Sequence, residues 1–302
     1  MLRPRIPLPR LGRLARIPQT RHIHKLRPLR DQFAEKGIGE EGHQFLSPEA
    51  VDFAYTQYQT LVLEKLNKLT AGQEDELSNS PNGLLSLITR TARDPNKAPT
   101  FNYASMAHNN EFFFNGICHK GPPIPRELKQ HLVEAFGSIE TLRTEFLLTA
   151  FAMFGPGYVW LVRARQPQNV AMRFRLLVTY LAGTPYPEAH YRQQRADMNT
   201  GSNVDEWMAS QRAAVAPASA SAAGPASSSH TRLEPAPGGL RGVVPVLCLN
   251  TWEHVYLPDY GILTPEGKEG KREYIYKWWD HIDWNVVADR ANLAAGQPSL
   301  IS

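Results

Sequence analysis

The chain has 302 residues, enough for one large or two small domains. Its 42% hydrophobic and 10% aromatic content can fill a core, which excludes wholesale disorder. Two cysteines, Cys118 and Cys248, exclude a disulfide framework or a four-thiolate metal site and fit a reducing compartment, while a formal charge of +4 points at first to an acidic partner such as nucleic acid or a membrane surface.

The charge is unevenly spread. Nine of the 33 basic residues lie within 1–30, and residues 31–302 hold 24 basic against 29 acidic side chains, a formal charge of −5. Residues 1–30 are Arg-rich, free of acids and interspersed with Leu and Ile, and so resemble a mitochondrial presequence. Pro4, Pro7 and Pro9 weaken a helix before Arg10, leaving 11–17 as the better amphipathic turn. Processing is expected around 21–24 or after Arg30. The alternative is a basic arm that stays on the protein and binds RNA, with Lys25, Arg27 and Arg30 as its contacts. A secretory apolar region is absent from the leader. The longest uncharged apolar run, 146–162, is 17 residues broken by Gly155-Pro156-Gly157, so no membrane span is expected.

Ser47-Pro48-Glu49 reads as a helix start. Val51, Tyr55, Tyr58, Val62, Leu66 and Leu69 follow at helical spacing until Gly72. An acidic loop at 73–82, a short helix at 84–91 and an aromatic-rich helix at 102–117 complete a helical part over 45–122. After Gly121-Pro122-Pro123 a second part, 123–302, opens with helices at 125–136 and 139–154, separated by Gly137 and capped by Ser138. Strands are predicted at 158–165, 172–181 and 243–249, the first two joined by a hairpin-length connection at 166–169. A Trp-rich helix over 272–293 closes the chain. Between the second and third strands, 213–229 contains only Ala, Ser, Pro, Gly and Val, a composition that cannot bury a core. With its flanks it forms a low-complexity insertion at about 183–240, far longer than the ~4–6 residues of ordinary loops. No internal repeat is present. The pattern predicts an α+β fold: an N-terminal helical hairpin, then a three-stranded antiparallel sheet with flanking helices.

Generic catalytic signatures are missing: no phosphate loop, no CxxC, no HExxH and no nucleophile elbow. One cluster stands out, Asn250-Thr251-Trp252-Glu253-His254-Val255-Tyr256, directly after the last strand and followed by Tyr260. Alone it reads first as core packing, and its companions change that. Its companions are FGSIE at 136–140, FGPGYVWL at 154–161 and WWDHIDWNVVADR at 278–290.

In that order these stretches resemble the iron/manganese superoxide dismutase family. The helices at 101–117 and 53–67 fit its pattern too, and the resemblance covers roughly 45–182 and 241–293. It implies a metal held by three histidines and one aspartate. Here the four ligand positions fall on Ala54, Asn110, Asn250 and His254. The family's active-site tyrosine falls on Val62, and the histidine between it and the first ligand on Tyr58. One good ligand of four cannot hold iron or manganese against water, so no cofactor and no dismutase activity are expected. Glu253, His254, Tyr256 and Tyr260 are retained, and the resemblance implies a subunit interface there. The alternative is that Glu253 and His254 satisfy each other within one core.

A leader of mitochondrial type, a dismutase-like chain without its ligands and a low-complexity insertion together resemble fungal mitochondrial small-subunit ribosomal proteins of this type, which pair as a heterodimer of two related chains. The expected function is structural, with other ribosomal proteins as partners and limited rRNA contact. The competing readings are an active dismutase with an unusual site and a free mitochondrial scaffold or assembly factor. A general RNA-binding module fits least, because the aromatic residues sit at positions the family uses for its core.

Overall fold

The computed structural model describes residues 23–40, 43–73, 83–92, 94–164, 173–189 and 243–291. The leader to residue 22, the acidic stretch 74–82, the connection at 166–169 and the insertion from 190 lie outside them. A basic strap (23–30) leads into helix α1 (Phe33–Lys36) and an antiparallel hairpin of β1 (Ile38–Glu40) and β2 (His43–Leu46), elements that no periodicity in 31–46 announces.

The first long helix starts as its sequence dictates. Ser47 Oγ accepts from the Ala50 N–H at 3.0 Å and Pro48 occupies the first turn. The helix then departs from simple periodicity. It runs as α2 (Pro48–Val51), a π-helical turn (Asp52–Gln57) and α3 (Tyr58–Leu69). The wide turn adds a residue to the spacing, so the buried face continues through Gln59, Val62, Leu63 and Leu66, while Leu69, expected on the apolar face, is exposed.

Helix α4 (Gly83–Thr91) packs on α5 (Ala98–Phe114), which packs on α3, and together they complete the N-terminal helical layer. Helix α6 (Arg126–Phe136) ends at Gly137 with φ 84°, and Ser138 Oγ caps α7 (Ile139–Ala152) by accepting from the Thr141 N–H. Phe154, expected inside that helix, lies beyond its end.

Strands β3 (Gly157–Ala164), β4 (Phe174–Tyr180) and β5 (Val243–Asn250) form one antiparallel sheet in the order β4-β3-β5. Its tight entry explains the glycines of the 155–157 turn. Gly155 has φ 98°, and a Cβ on Gly157 would stand 2.2 Å from the Thr179 carbonyl oxygen.

The expected closing helix is two helices. After α8 (Glu253–Tyr260) come α9 (Gly270–Asp280) and α10 (Trp284–Ala291). Between them Ile282 forms a β-bridge with Ile117, and the Asp283 N–H donates to Gly116 O at 3.0 Å. Asp283 Oδ1 then accepts from the Asn285 and Val286 N–H groups, restarting the helix. Long-range pairing thus overrides a continuous apolar pattern.

One buried cluster joins all these layers, with Phe33, Phe113, Phe146, Trp160, Trp278 and Trp284 among its members. The insertion is also shorter at its start than its composition suggested. Ser105 Oγ donates to Ala182 O at 2.6 Å, Asn109 Nδ2 to Gly183 O at 2.9 Å, and Tyr186 Oη lies 2.8 Å from His108 Nε2. Residues 182–186 are therefore docked on α5, and the turn at 187–189 on α4. Among the described residues no helix is long and apolar enough to cross a membrane.

Candidate functional site

The π turn and α5 converge on the end of β5. Ala54 comes from the π turn, Asn110 from α5 and Asn250 from the last position of β5, and all three are fully buried. Asn250 Nδ2 donates to Asn110 Oδ1 at 3.3 Å. Asn110 Nδ2 in turn reaches the Ala54 carbonyl and Gln59 Oε1, each at 3.2 Å. Gln59 Nε2 completes the chain by donating to Ala107 O at 2.9 Å, and Asn250 Oδ1 accepts from the Trp252 N–H at 2.9 Å. The Tyr274 hydroxyl donates to the Asn250 carbonyl at 2.7 Å. The result is a neutral, mutually satisfied amide network in the middle of the core. Gln59 was missed by sequence reasoning. No apolar pattern flags a glutamine, and only the π turn rotates it inward.

His254 lies beside this network at the start of α8. Its ring stacks on Tyr58 at 4.2 Å and 21°. Burial pushes its pKa down to about 4, so the imidazole is neutral at pH 7. His254 Nε2 is buried and finds no partner among the described residues. Val62 is buried and offers no polar atom.

A second feature was not legible in the sequence. Register pairs Gly157 with Tyr180 and Tyr158 with Asn250, so the start of β3 and the ends of β4 and β5 share one end of the sheet. There Phe154 is 96% exposed, Leu181 58% and Tyr180 50%. Leu181 adopts a left-handed φ of 52°, unusual for a branched side chain, while its N–H donates to Pro156 O at 3.1 Å. The Thr251 N–H donates to Gly157 O at 2.9 Å, which brings Glu253 and His254 to the same end. Of the four residues grouped as a subunit surface, Tyr256 and Tyr260 are buried in this chain's own core. Tyr256 stacks on Tyr274, and the Tyr260 hydroxyl donates to Phe45 O at 2.6 Å.

The basic strap is partly committed as well. Arg27 pairs with Glu111 at 3.2 Å and Arg30 with Asp283 at 2.8 Å, while Lys25 is exposed.

Residues 124–183 and 227–290 match the model for the C-terminal domain of iron/manganese superoxide dismutases. Over 253 residues the chain is 31% identical to the small ribosomal subunit protein mS43 of Schizosaccharomyces pombe, a match covering 81% of this chain and 78% of that protein. The chain belongs to the iron/manganese superoxide dismutase-like family. Within it, the small ribosomal subunit protein mS42 of the same yeast is 29% identical over 261 residues, covering 82% of this chain and 88% of that protein. The iron superoxide dismutase of Helicobacter pylori (strain J99) is 22% identical over 256 residues, covering 85% and 84%.

The dismutase-like family implies a metal, and the residues here do not fit one. Ala54 has no side-chain donor atom, and both asparagine oxygens already accept N–H bonds within the network. An amide oxygen is in any case a weak ligand for a redox ion, which leaves one imidazole. Among the described residues no group of three or more His, Cys, Asp or Glu is placed to hold a metal.

Proposed function

We propose that this dismutase-like chain is a structural protein of the mitochondrial ribosomal small subunit, without dismutase activity and without a cofactor. The observation that carries this reading is the long match to mS43, joined to a centre where amides bond one another. The Arg-rich leader supports delivery to the matrix by import.

The open end of the sheet supports a pairing with a second dismutase-like chain. Phe154, Tyr180 and Leu181 supply apolar area, and Glu253 and His254 supply polar groups at its edge. A heterodimer of related chains fits a face of this kind, with other ribosomal proteins and limited rRNA contact beyond it. The domain plan that goes with this reading is a leader, a helical part over 45–122 and an α+β part over 123–302 that carries the insertion.

Sedimentation of mitochondrial lysate tests the assignment. The chain is expected to co-migrate with the small subunit after a moderate salt wash, and a free position near the top of the gradient favours a scaffold or assembly factor instead. The match to iron superoxide dismutases supports the enzymatic reading. Metal analysis of purified protein separates the two, since stoichiometric iron or manganese with dismutase turnover would overturn the structural role.

A further inference from the structure

We propose that proteolytic maturation of this chain stops short of Ile23, so that Lys25, Arg27 and Arg30 belong to the mature protein. The proposal rests on the import reading, but its physical basis is the strap. A terminus is open to proteolysis when its backbone is free, and closed when that backbone is buried and hydrogen-bonded.

The strap is tied at intervals along its length. Ile23 packs on the small cluster formed by Leu66, Leu87, Ile88 and Ala104. The His24 N–H donates to Asn67 Oδ1 at 3.0 Å and Asn67 Nδ2 donates back to His24 O at 2.8 Å, so one side chain serves both backbone groups as a neighbouring strand would. The Tyr55 hydroxyl donates to Arg27 O at 2.8 Å. Leu29 packs on the main core, and Arg30 Nη2 donates to Ile117 O at 2.6 Å beside its ion pair with Asp283. Further on, His119 Nε2 lies 3.0 Å from Asp31 O, and Phe33 is fully buried against the His119 ring.

Removing the strap would harm what it covers. Burial raises the Glu111 carboxyl above its ordinary range, and Arg27 is the group that offsets this. Asp283, with its side chain only 13% exposed, would lose the guanidinium at 2.8 Å. Asn67 would keep a donor and an acceptor with no partner at His24. Cleavage after Arg30 is thus disfavoured by the fold.

The scissile bond therefore lies upstream of Ile23. Hydrolysis there adds one water across a peptide bond, releasing the leader as a carboxylate and leaving a new α-amine on the mature chain. Cutting just before Ile23 removes six arginines and leaves 27 basic against 29 acidic residues, a formal charge of −2 rather than −5.

Trypsin acting on the folded full-length chain tests the strap directly. The bond Arg27–Pro28 is refractory, so the readouts are Lys25–Leu26 and Arg30–Asp31. Both are expected to be cut at least ~100-fold more slowly than in the urea-unfolded chain, and equal rates would overturn the proposal. The variants R30A and N67A should each speed cutting at Lys25–Leu26 by about 10-fold or more, while unchanged rates would show that these bonds do not hold the strap. The intact mass of the chain recovered from mitochondria then reads the processing site. A first residue after Met1 and no later than Ile23 is expected, and one beyond Ile23 overturns the proposal. A chain that still begins at Met1 would sink the import-processing reading, whereas tryptic protection would stand without it.

Discussion

Two regions a few residues apart in sequence have opposite character. At the end of β5, Asn250 sits in a sealed centre where Gln59, Asn110 and the Ala54 carbonyl use up one another's hydrogen bonds. Around the same sheet end, Phe154 and Leu181 stand in solvent, and His254 Nε2 has no partner among the described residues. The amide network is complete within itself, while apolar side chains at this end of the sheet stand uncovered.

The contrast breaks most readily at Asn110. N110A removes the middle of the network and takes from Gln59 Oε1 and Asn250 Nδ2 their Asn110 partner in a dry core. The expected loss is about 3 kcal/mol, read as a lower urea midpoint with an unchanged slope. A loss below ~0.5 kcal/mol would mean that the centre is not a structural network at all.

Acid should separate the two regions next. Burial holds both His108 and His254 at about 4, below the 6.5 of an unfolded imidazole. Between those values the unfolded chain binds more protons than the native one. Stability from each neutral ring is therefore intact above pH ~6.5 and lost as pH falls toward ~4, at up to about 1.4 kcal/mol per pH unit, with less from the half-buried His254. In H254F the pH dependence of the melting temperature should become shallower, with the His108 share remaining. An identical profile would place His254 in water.

The outer face should respond least in stability and most in association. L181G relieves the left-handed strain and is expected to stabilise the isolated chain by about 0.5–1 kcal/mol. F154D should alter stability by less than ~0.5 kcal/mol yet abolish co-purification with the dismutase-like partner proposed above. Retained pairing in F154D would put the interface elsewhere.

Much of this was legible in the residues. Ser47-Pro48, Gly137-Ser138 and the 155–157 turn act through local capping and backbone geometry, so the elements they punctuate appear where the sequence places them. Ala54, Asn110 and Asn250 meet in one network with His254 beside it; the motifs around Asn250 and His254 are specific, whereas the first helix matches mainly by position. What stayed hidden depends on distant partners. Ile282 leaves the closing helix because Ile117 pairs with it, and Gln59 turns inward only through a π turn. Phe154 looks like any core aromatic in one dimension. Its exposure follows from where α7 ends and where β4 returns.

The π turn at Asp52–Gln57 has a consequence for how the first helix tolerates changes in length. Deleting one residue there would let the helix close into uniform α geometry, and every side chain on its amino-terminal side would swing by about 100° relative to α3. Ser47, whose N–H now meets the Asp259 carboxylate at 2.7 Å, would point elsewhere on the circumference. The wide turn thus works as a phase key. It lets one helix mesh with α8 at its entry and with α5 along its length, two neighbours that no single helical wheel could address together.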